Sequence, residues 1–409
     1  MKKVVIGAMA VLALTACSSE EVIQTNEQNQ EITFSAVTGK SLSRAADGYC
    51  NNATPATFQV AAAYTTDGSA YAQYFINDGY KKNAESSDPG YASYKNYVAD
   101  GPVRYWPELG DATDTKKLKF FAYLNAAPTW VTTAPDAYQA MKADFTVADQ
   151  VADQVDFIYA VEEAKEKPSA GQLPINFRHA LSQIEFRAKN ANNKIHVIVD
   201  GVKVVNVKNT GTFTMKDATT NNFANHTTGE NFGTADTDSR VGRGQWTGQS
   251  GTASYEITTA SKVALDGTAQ DLTAETGEEY TSRSMYLLPQ TLTPWSTGTA
   301  SASTDSYFLL KALIYNIADE GGTVNTGTDV VLWGDKTSGS WETKYIAIPV
   351  PASTTWEDGK RYVYTFVFTT DGNGGSDPDT GKEVLTPIKL EITVDDFVDV
   401  ANKDVELKK

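Results

Sequence analysis

Three imidazoles, His179, His196 and His226, and two thiols, Cys17 and Cys50, are the side chains of this chain best suited to nucleophilic or metal chemistry. A Ser-His-Asp relay needs one of those histidines as its base, and its members need not lie close in sequence. No GxSxG elbow, no HExxH pair and no His/Cys spacing suited to zinc occurs, so no motif marks an enzyme. His196 sits on a run whose apolar members are Ile195, Val197 and Val199 and faces outward from it, while His226 lies in a stretch rich in Asn and Thr. The segment DGNGGSDPDTG, Asp371 to Gly381, gathers acidic groups as a calcium loop does. An EF-hand needs an oxygen ligand at its fifth position, where Gly375 stands, and a glutamate at its twelfth, where Lys382 stands. A solvated hairpin loop is the better reading, and no cofactor is implied.

Cys17 has a more definite chemistry. Lys2 and Lys3 open the chain, Val4 to Ala16 are mostly apolar, and Leu14-Thr15-Ala16-Cys17 closes the stretch as a bacterial lipoprotein box does. The apolar run is too short for a permanent span, which needs about 20 residues. Residues 1–16 therefore read as a cleaved signal peptide, and the thiol of Cys17 as the acylated new N-terminus. Acyl chains contribute roughly 0.8 kcal/mol per buried methylene, enough to hold a folded body on a membrane. An ordinary secretory signal that happens to end in Cys is the plainer alternative. With Cys17 acylated, Cys50 has no partner within the chain, so stability must come from packed cores rather than a disulfide.

The formal charge is −16 at pH 7. Residues 1–44 carry as many basic as acidic groups, so the remainder keeps that charge. Such a surface repels nucleic acid and anionic lipid, which argues against nucleic acid as a partner.

The elements that position everything else are strands. Phe58/Val60/Ala62/Tyr64, Leu118/Phe120/Ala122/Leu124, Ile184/Phe186/Ala188, Ile195/Val197/Val199, Tyr362/Tyr364/Phe366/Phe368 and Ile388/Leu390/Ile392/Val394 repeat with period two. Each run predicts a strand of an antiparallel sheet with one face buried and one wet. Short strands spaced by Asn, Asp, Gly and Thr predict an all-β chain of β-sandwiches. PDAYQAMKADF, from Pro135, is the one stretch with a helical composition. VEEAKEKPSAGQ, Val161 to Gln172, reads as a linker or a hairpin loop, and a domain boundary is placed near KNANNK, Lys189 to Lys194. Lys216 to about Gln249 reads as a long surface excursion. Tyr71, Tyr74, Tyr80, Tyr91, Tyr94, Tyr97, Tyr105 and Trp106 crowd one part of the first half. Packing of their rings on the sheet with the hydroxyls left wet is the simpler expectation, and stacking on sugars or a partner surface is the alternative.

Several segments, in order, carry a family resemblance: the box at Cys17, ITFSAVTGKSLSRAA, VRYWP followed by KLKFFAYLN, VDFIYA, LPINFRHALSQIEFRAK, and WEDGKRYVYTFVF leading to LTPIKLEITVDDF. Together they resemble the fimbrillins, the type V pilins of Gram-negative outer-membrane fimbriae. The resemblance implies two tandem transthyretin-like Greek-key β-sandwiches, here 45–190 and 191–396, and makes His179 a structural residue. It further implies a lipoprotein precursor in the outer membrane, an Arg-specific or trypsin-like protease that removes an N-terminal strand, and head-to-tail polymerisation with other pilin subunits into a surface fimbria that mediates cell adhesion. On this chain the cut would fall between Arg44 and Ala45, in a propeptide of residues 17–44, and the lost strand would be Glu31 to Val37. Arg240 and Arg243 share the exposure to such a protease.

The residue types agree with that role. Ile32, Phe34 and Ala36 alternate as a strand lying on a core, where burial of Ile or Phe is worth about 1.5–3 kcal/mol each. Cutting it away opens a sheet edge, a template for another chain. The candidate donor is the tail 397–409, with Val398, Val400, Val405 and Leu407 loosely alternating, and at roughly 3.3 Å per residue it reaches about 43 Å. Equally open is that Val405 and Leu407 close the last sheet of their own molecule. The rival functional class is a permanently lipid-anchored surface protein, an anchor or tip subunit or a glycan binder, with a host or bacterial surface ligand.

Overall fold

The structure, a computed structural model, describes residues 30–36, 57–66, 70–82, 95–107, 116–167, 172–175, 177–216, 244–273, 284–296, 298–317, 322, 324–325, 328–372 and 374–396. Among them the regular elements are β-strands and two short 3-10 turns, Val151–Asp153 and Ala300–Ala302. The all-β expectation holds.

The first half builds an eight-stranded sheet from β1 (Phe34–Ala36), β2 (Thr57–Thr65), β3 (Ala72–Lys82), β4 (Lys95–Ala99), β5 (Lys117–Leu124), β8 (Ile158–Lys165), β9 (Leu173–Ile175) and β10 (Arg178–His179). Its order is β10-β8-β5-β2-β3-β4-β1-β9. The strands at the two ends, β9 and β10, are near neighbours in the chain, so the sheet curls back on itself and encloses a core. Phe34, Phe58, Val60, Tyr80, Phe120 and Ile175 belong to that core.

A second layer covers the outside of the curl. β6 (Thr129–Trp130) and β7 (Ala140–Thr146) join β13 (Thr210–Lys216) and β14 (Gln245–Ser250) in a four-stranded sheet, in the order β14-β13-β7-β6. The consequence is visible on β5, whose six central residues are all buried. Leu118, Phe120 and Ala122 face the enclosed core, while Phe121 and Tyr123 face the second layer. Phe121 meets Trp130, and Phe157 and Tyr159 meet Phe213, at ring separations of 5.3, 5.1 and 4.8 Å. The expectation of one wet face therefore fails for β5 and for the middle of β2, because the chain supplies an extra sheet to lie on them.

The second half is a sandwich. One sheet runs β16 (Gln270–Asp271), β11 (Ser182–Asn190), β23 (Lys360–Phe368), β24 (Ile388–Asp396), with β17 (Met285–Leu287) also on β11. The other runs β15 (Ala253–Ala264), β12 (Ile195–Val207), β18 (Tyr307–Asn316), β19 (Val330–Trp333), with β22 (Lys344–Pro349) also on β18. A small hairpin, β20 (Asp335–Thr337) and β21 (Ser340–Glu342), extends from it. Phe308 bridges the two sheets, 5.5 Å from Phe186 and 4.8 Å from Tyr364. The ladders are mostly antiparallel, but β11 runs parallel to β23 and β1 runs parallel to β9. KNANNK is the turn between β11 and β12, and all ladder partners of β11 come from beyond residue 191.

Other local expectations change. PDAYQAMKADF forms a turn, with Tyr138 at φ 55, followed by strand β7 rather than a helix. Its Ala and Met favour a helix intrinsically, but Met141 and Ala143 are buried on the ladder with β13, and tertiary pairing wins. The excursion ends early, because Gln245–Ser250 is a strand on β13; positions 217–243, with His226, Arg240 and Arg243, lie outside the described residues. The charged stretch Val161 to Gln172 begins as strand, since β8 continues to Lys165.

The acidic loop is not simply solvated either. Asp377 is 5% exposed and its Oδ2 lies 2.7 Å from Lys344 Nζ. Its Oδ1 accepts the N–H groups of Asp379 and Thr380 at 3.0 and 2.9 Å. Burial opposes its ionisation, yet the Lys344 contact and the two N–H donors outweigh that and hold the carboxyl at about 2, against an ordinary 3.8. A depressed carboxylate stabilises the fold above its unfolded-state value and loses that effect as pH falls through the folded one. Asp377→Asn is therefore expected to lower the urea midpoint at neutral pH, with the difference from wild type shrinking between pH 4 and pH 2. Unfolding curves across that range check it.

Candidate functional site: the seat of the first strand

The described residues contain no group of three or more His, Cys, Asp or Glu side chains able to hold a metal ion. His179 is buried, its Nδ1 against Asp156 Oδ2, with its side chain closed off from solvent. His196 is half-buried, and burial lowers its basicity. The feature with a distinctive geometry is the place occupied by β1.

β1 lies inside its sheet, between β4 and β9, rather than at an edge. It pairs antiparallel with β4, Phe34 opposite Tyr97, and parallel with β9, Phe34 opposite Leu173. Just upstream, Ile32 N donates to Arg104 O at 2.8 Å, Trp106 N donates to Gln30 O at 3.0 Å, and Glu31 bridges Tyr105. On the other side Leu173 N donates to Thr33 O at 3.0 Å. Among the described residues β1 is the sole ladder partner of β9. Backbone pairing therefore runs along both margins of the described stretch 30–36.

Its side chains complete the enclosed core. Ile32 and Phe34 are both 0% exposed. Three rings meet the Phe34 ring edge-on, Tyr80 at 4.8 Å, Phe120 at 5.3 Å and Phe58 at 6.2 Å. Such edge contacts add about 0.5–1.5 kcal/mol each beyond area burial. Trp106 closes the cluster 5.7 Å from Phe120. Burial pushes the pKa of the Tyr80 and Tyr97 phenols up, and among the described residues the buried Tyr80 hydroxyl has no hydrogen-bond partner. This differs from the expected wet hydroxyls; the two rings sit at the centre of the core rather than on a sheet surface.

The alternation of Ile32 and Phe34 pointed to a core-facing strand, and both are core residues. Ala36 ends β1 in the ladder opposite Lys95 and Ile175. The remaining expected positions, Cys17, Val37, Arg44, Ala45, Cys50, Val398, Val400, Val405 and Leu407, lie outside the described residues, as do Tyr91 and Tyr94. Sequence reasoning did not single out Arg104. Its guanidinium forks onto Asp78, Nε to Oδ2 at 2.5 Å and Nη2 to Oδ1 at 3.0 Å, and so fixes the segment whose carbonyl holds Ile32. VRYWP contained the signal, as a charged residue between an aliphatic and two aromatic ones.

Truncating the seated ring tests the arrangement. Phe34→Ala is expected to destabilise the full chain by about 3–5 kcal/mol, the range for a buried aromatic. Thr33→Ala, on the opposite side of the strand, is expected to cost under about 1 kcal/mol. Urea unfolding followed by tryptophan fluorescence separates the two.

The chain matches the fimbrillin-like family over residues 22–396. No curated protein gives a significant match. Among solved structures, a fimbrial protein from Bacteroides vulgatus is 16% identical with a TM-score of 0.46, covering 90% of this chain and 100% of its own. A candidate cell adhesion protein from Bacteroides uniformis is 14% identical with a TM-score of 0.41, covering 90% of this chain and 99% of its own. One of the same description from Parabacteroides distasonis is 10% identical with a TM-score of 0.40, covering 90% and 97%. The family match takes in every strand of the fold just described, and the chain belongs to the fimbrillin-like family.

Proposed function

We propose that this chain is a structural subunit of a surface fimbria, exported as a lipoprotein acylated on Cys17, matured by cleavage after Arg44, and polymerised by strand donation between copies. No catalytic role belongs to this reading. Family membership supports the fimbrial role. The observation that carries the finer mechanism is the interior position of β1, with Ile32 and Phe34 fully buried between β4 and β9. Arg44 stands after β1 and before Thr57, where β2 begins, so a cut there severs β1 from the body while leaving every later strand intact. The vacated place offers two unpaired strand margins and an apolar trough, the two things a donated strand satisfies. Because the donated strand would come from the end of the sequence and the trough is built by its first half, the contact is head-to-tail and propagates. The tail 397–409 remains the candidate donor.

Two β-sandwich units of the transthyretin-like kind are part of the same proposal. The partners of β11 support drawing their division near residue 180 rather than 190.

The reading makes a direct demand on surface material. Polymers sheared from cells should yield subunits whose N-terminus is Ala45 by Edman sequencing and whose intact mass lacks an acyl group. Arg44→Ala precursor should stay as acylated monomer beginning at Cys17. If wild-type surface protein is itself acylated monomer beginning at Cys17, the chain is instead a permanently anchored surface protein.

A further inference from the structure

Exposed apolar side chains gather beside the seat of β1. Phe75 is 58% exposed, and Val103 and Tyr105 are each 44% exposed. Val103 and Tyr105 flank Arg104, whose guanidinium lies 5.1 Å from the centre of the Phe75 ring. The Tyr74 ring lies 4.2 Å from that of Phe75, and its hydroxyl donates to Tyr105 O at 3.4 Å. The fork from Arg104 to Asp78 holds the shelf in place before any partner arrives, so little ordering cost attends a contact there. A rigid aromatic surface around a neutralised arginine has the character of an interface centre rather than of ordinary surface.

Its location selects the occupant. The backbone of this same segment holds the start of β1, through Arg104 O to Ile32 N and through Trp106 N to Gln30 O. The shelf therefore stands at the mouth through which β1 enters the sheet. A C-terminal tail laid along the direction of β1 has its own body upstream, and that body comes to rest at this mouth. Copies of a chain carrying −16 repel one another, so an aromatic contact suits them better than an ionic one. A few side chains are far short of the roughly 20–30 residues a side that a stable interface uses, so the shelf acts together with a seated strand and not alone.

We propose that the Phe75, Val103 and Tyr105 shelf is a second contact between successive subunits, receiving the body of the copy whose tail fills the seat. This rests on the strand-donation reading above. The test is the Phe75→Ser, Tyr105→Ser double variant of the full chain, trimmed with a trypsin-like protease beside wild type. Both positions are exposed, and an unchanged urea midpoint of the untrimmed chain verifies that the variant folds. A synthetic peptide of residues 397–409 should bind the two trimmed proteins equally, while polymer growth by light scattering should slow about tenfold or more for the variant. Equal growth of variant and wild type overturns the shelf and leaves strand donation standing. Normal growth with lost binding to immobilised glycans overturns it too and gives the shelf to a sugar. If trimmed wild type neither binds the peptide nor polymerises, strand donation fails and the shelf contact falls with it.

Discussion

The enclosed core of the first half depends on one side chain from a segment that arrives before the rest of the body is made. Phe34 is met by rings from β2, β3 and β5, none of which is a ladder neighbour of β1. Those three rings can converge only if something large and apolar occupies the space between them. Deleting it leaves a void bounded by aromatic faces, which the close-packed surroundings relax into only partly. The β9 segment shares that dependence, since its ladder runs through β1 alone among the described residues. One short strand therefore sets both the filling of the core and the attachment of β9 to the sheet.

The rest of the molecule is built to tolerate that concentration of responsibility. Outside the curl, β7 and β13 pair across the two halves of the chain, with Met141 opposite Met215 and Ala143 opposite Phe213. Trp246 Nε1 reaches Ala180 O at 2.6 Å, and Tyr286 N donates to Gln154 Oε1 at 2.9 Å. The layer they hold packs with Phe121 and Tyr123 of β5 and Tyr159 of β8, whereas Phe120, Ala122 and Ala160 of the same strands belong to the core that receives β1. The two cores are thus separated by the thickness of a sheet. A change in the seat is felt on one side of β5, while the larger core, which runs on into the C-terminal sandwich, keeps its own packing.

How much of this was legible follows from what a residue pattern can encode. The six period-two runs all lie on strands, because alternation reports a face and a face is what a strand has. The same pattern could not report a second layer: FF in β5 reads as one inward and one outward ring, and only the distant pairing of β7 with β13 makes both inward. The helical reading of Pro135–Phe145 failed for a related reason. Intrinsic preference is local, and the ladder that overrode it comes from residues 210–216. At the seat, Ile32 and Phe34 were legible by alternation, whereas the Arg104–Asp78 fork was not, since 26 positions separate a pair that no spacing rule connects. The end of β24 was misread: Ile392 and Val394 continue the inward alternation but are 38% and 53% exposed, because β24 is the edge of its sheet.

The strength of the seat also decides the order of events in the proposed assembly. Burial of Ile32 and Phe34 contributes about 1.5–3 kcal/mol each, a large share of the roughly 5–15 kcal/mol that keeps a domain folded. While residues 37–56 tie β1 to the body, the strand returns to its place at an effective concentration on the order of millimolar. A tail from another copy, at about micromolar concentration, faces a thousandfold disadvantage, worth about 4 kcal/mol, before any contact is compared. No modest improvement in side-chain fit overcomes that. Cutting the tether removes the advantage while leaving the sequence of β1 unchanged, and the two strands then compete on contacts alone. In the proposed assembly, proteolysis is thus what converts a strand that is thermodynamically fixed into one that is replaceable, and the proposed shelf would supply the arriving copy with a contact that the departing strand lacks.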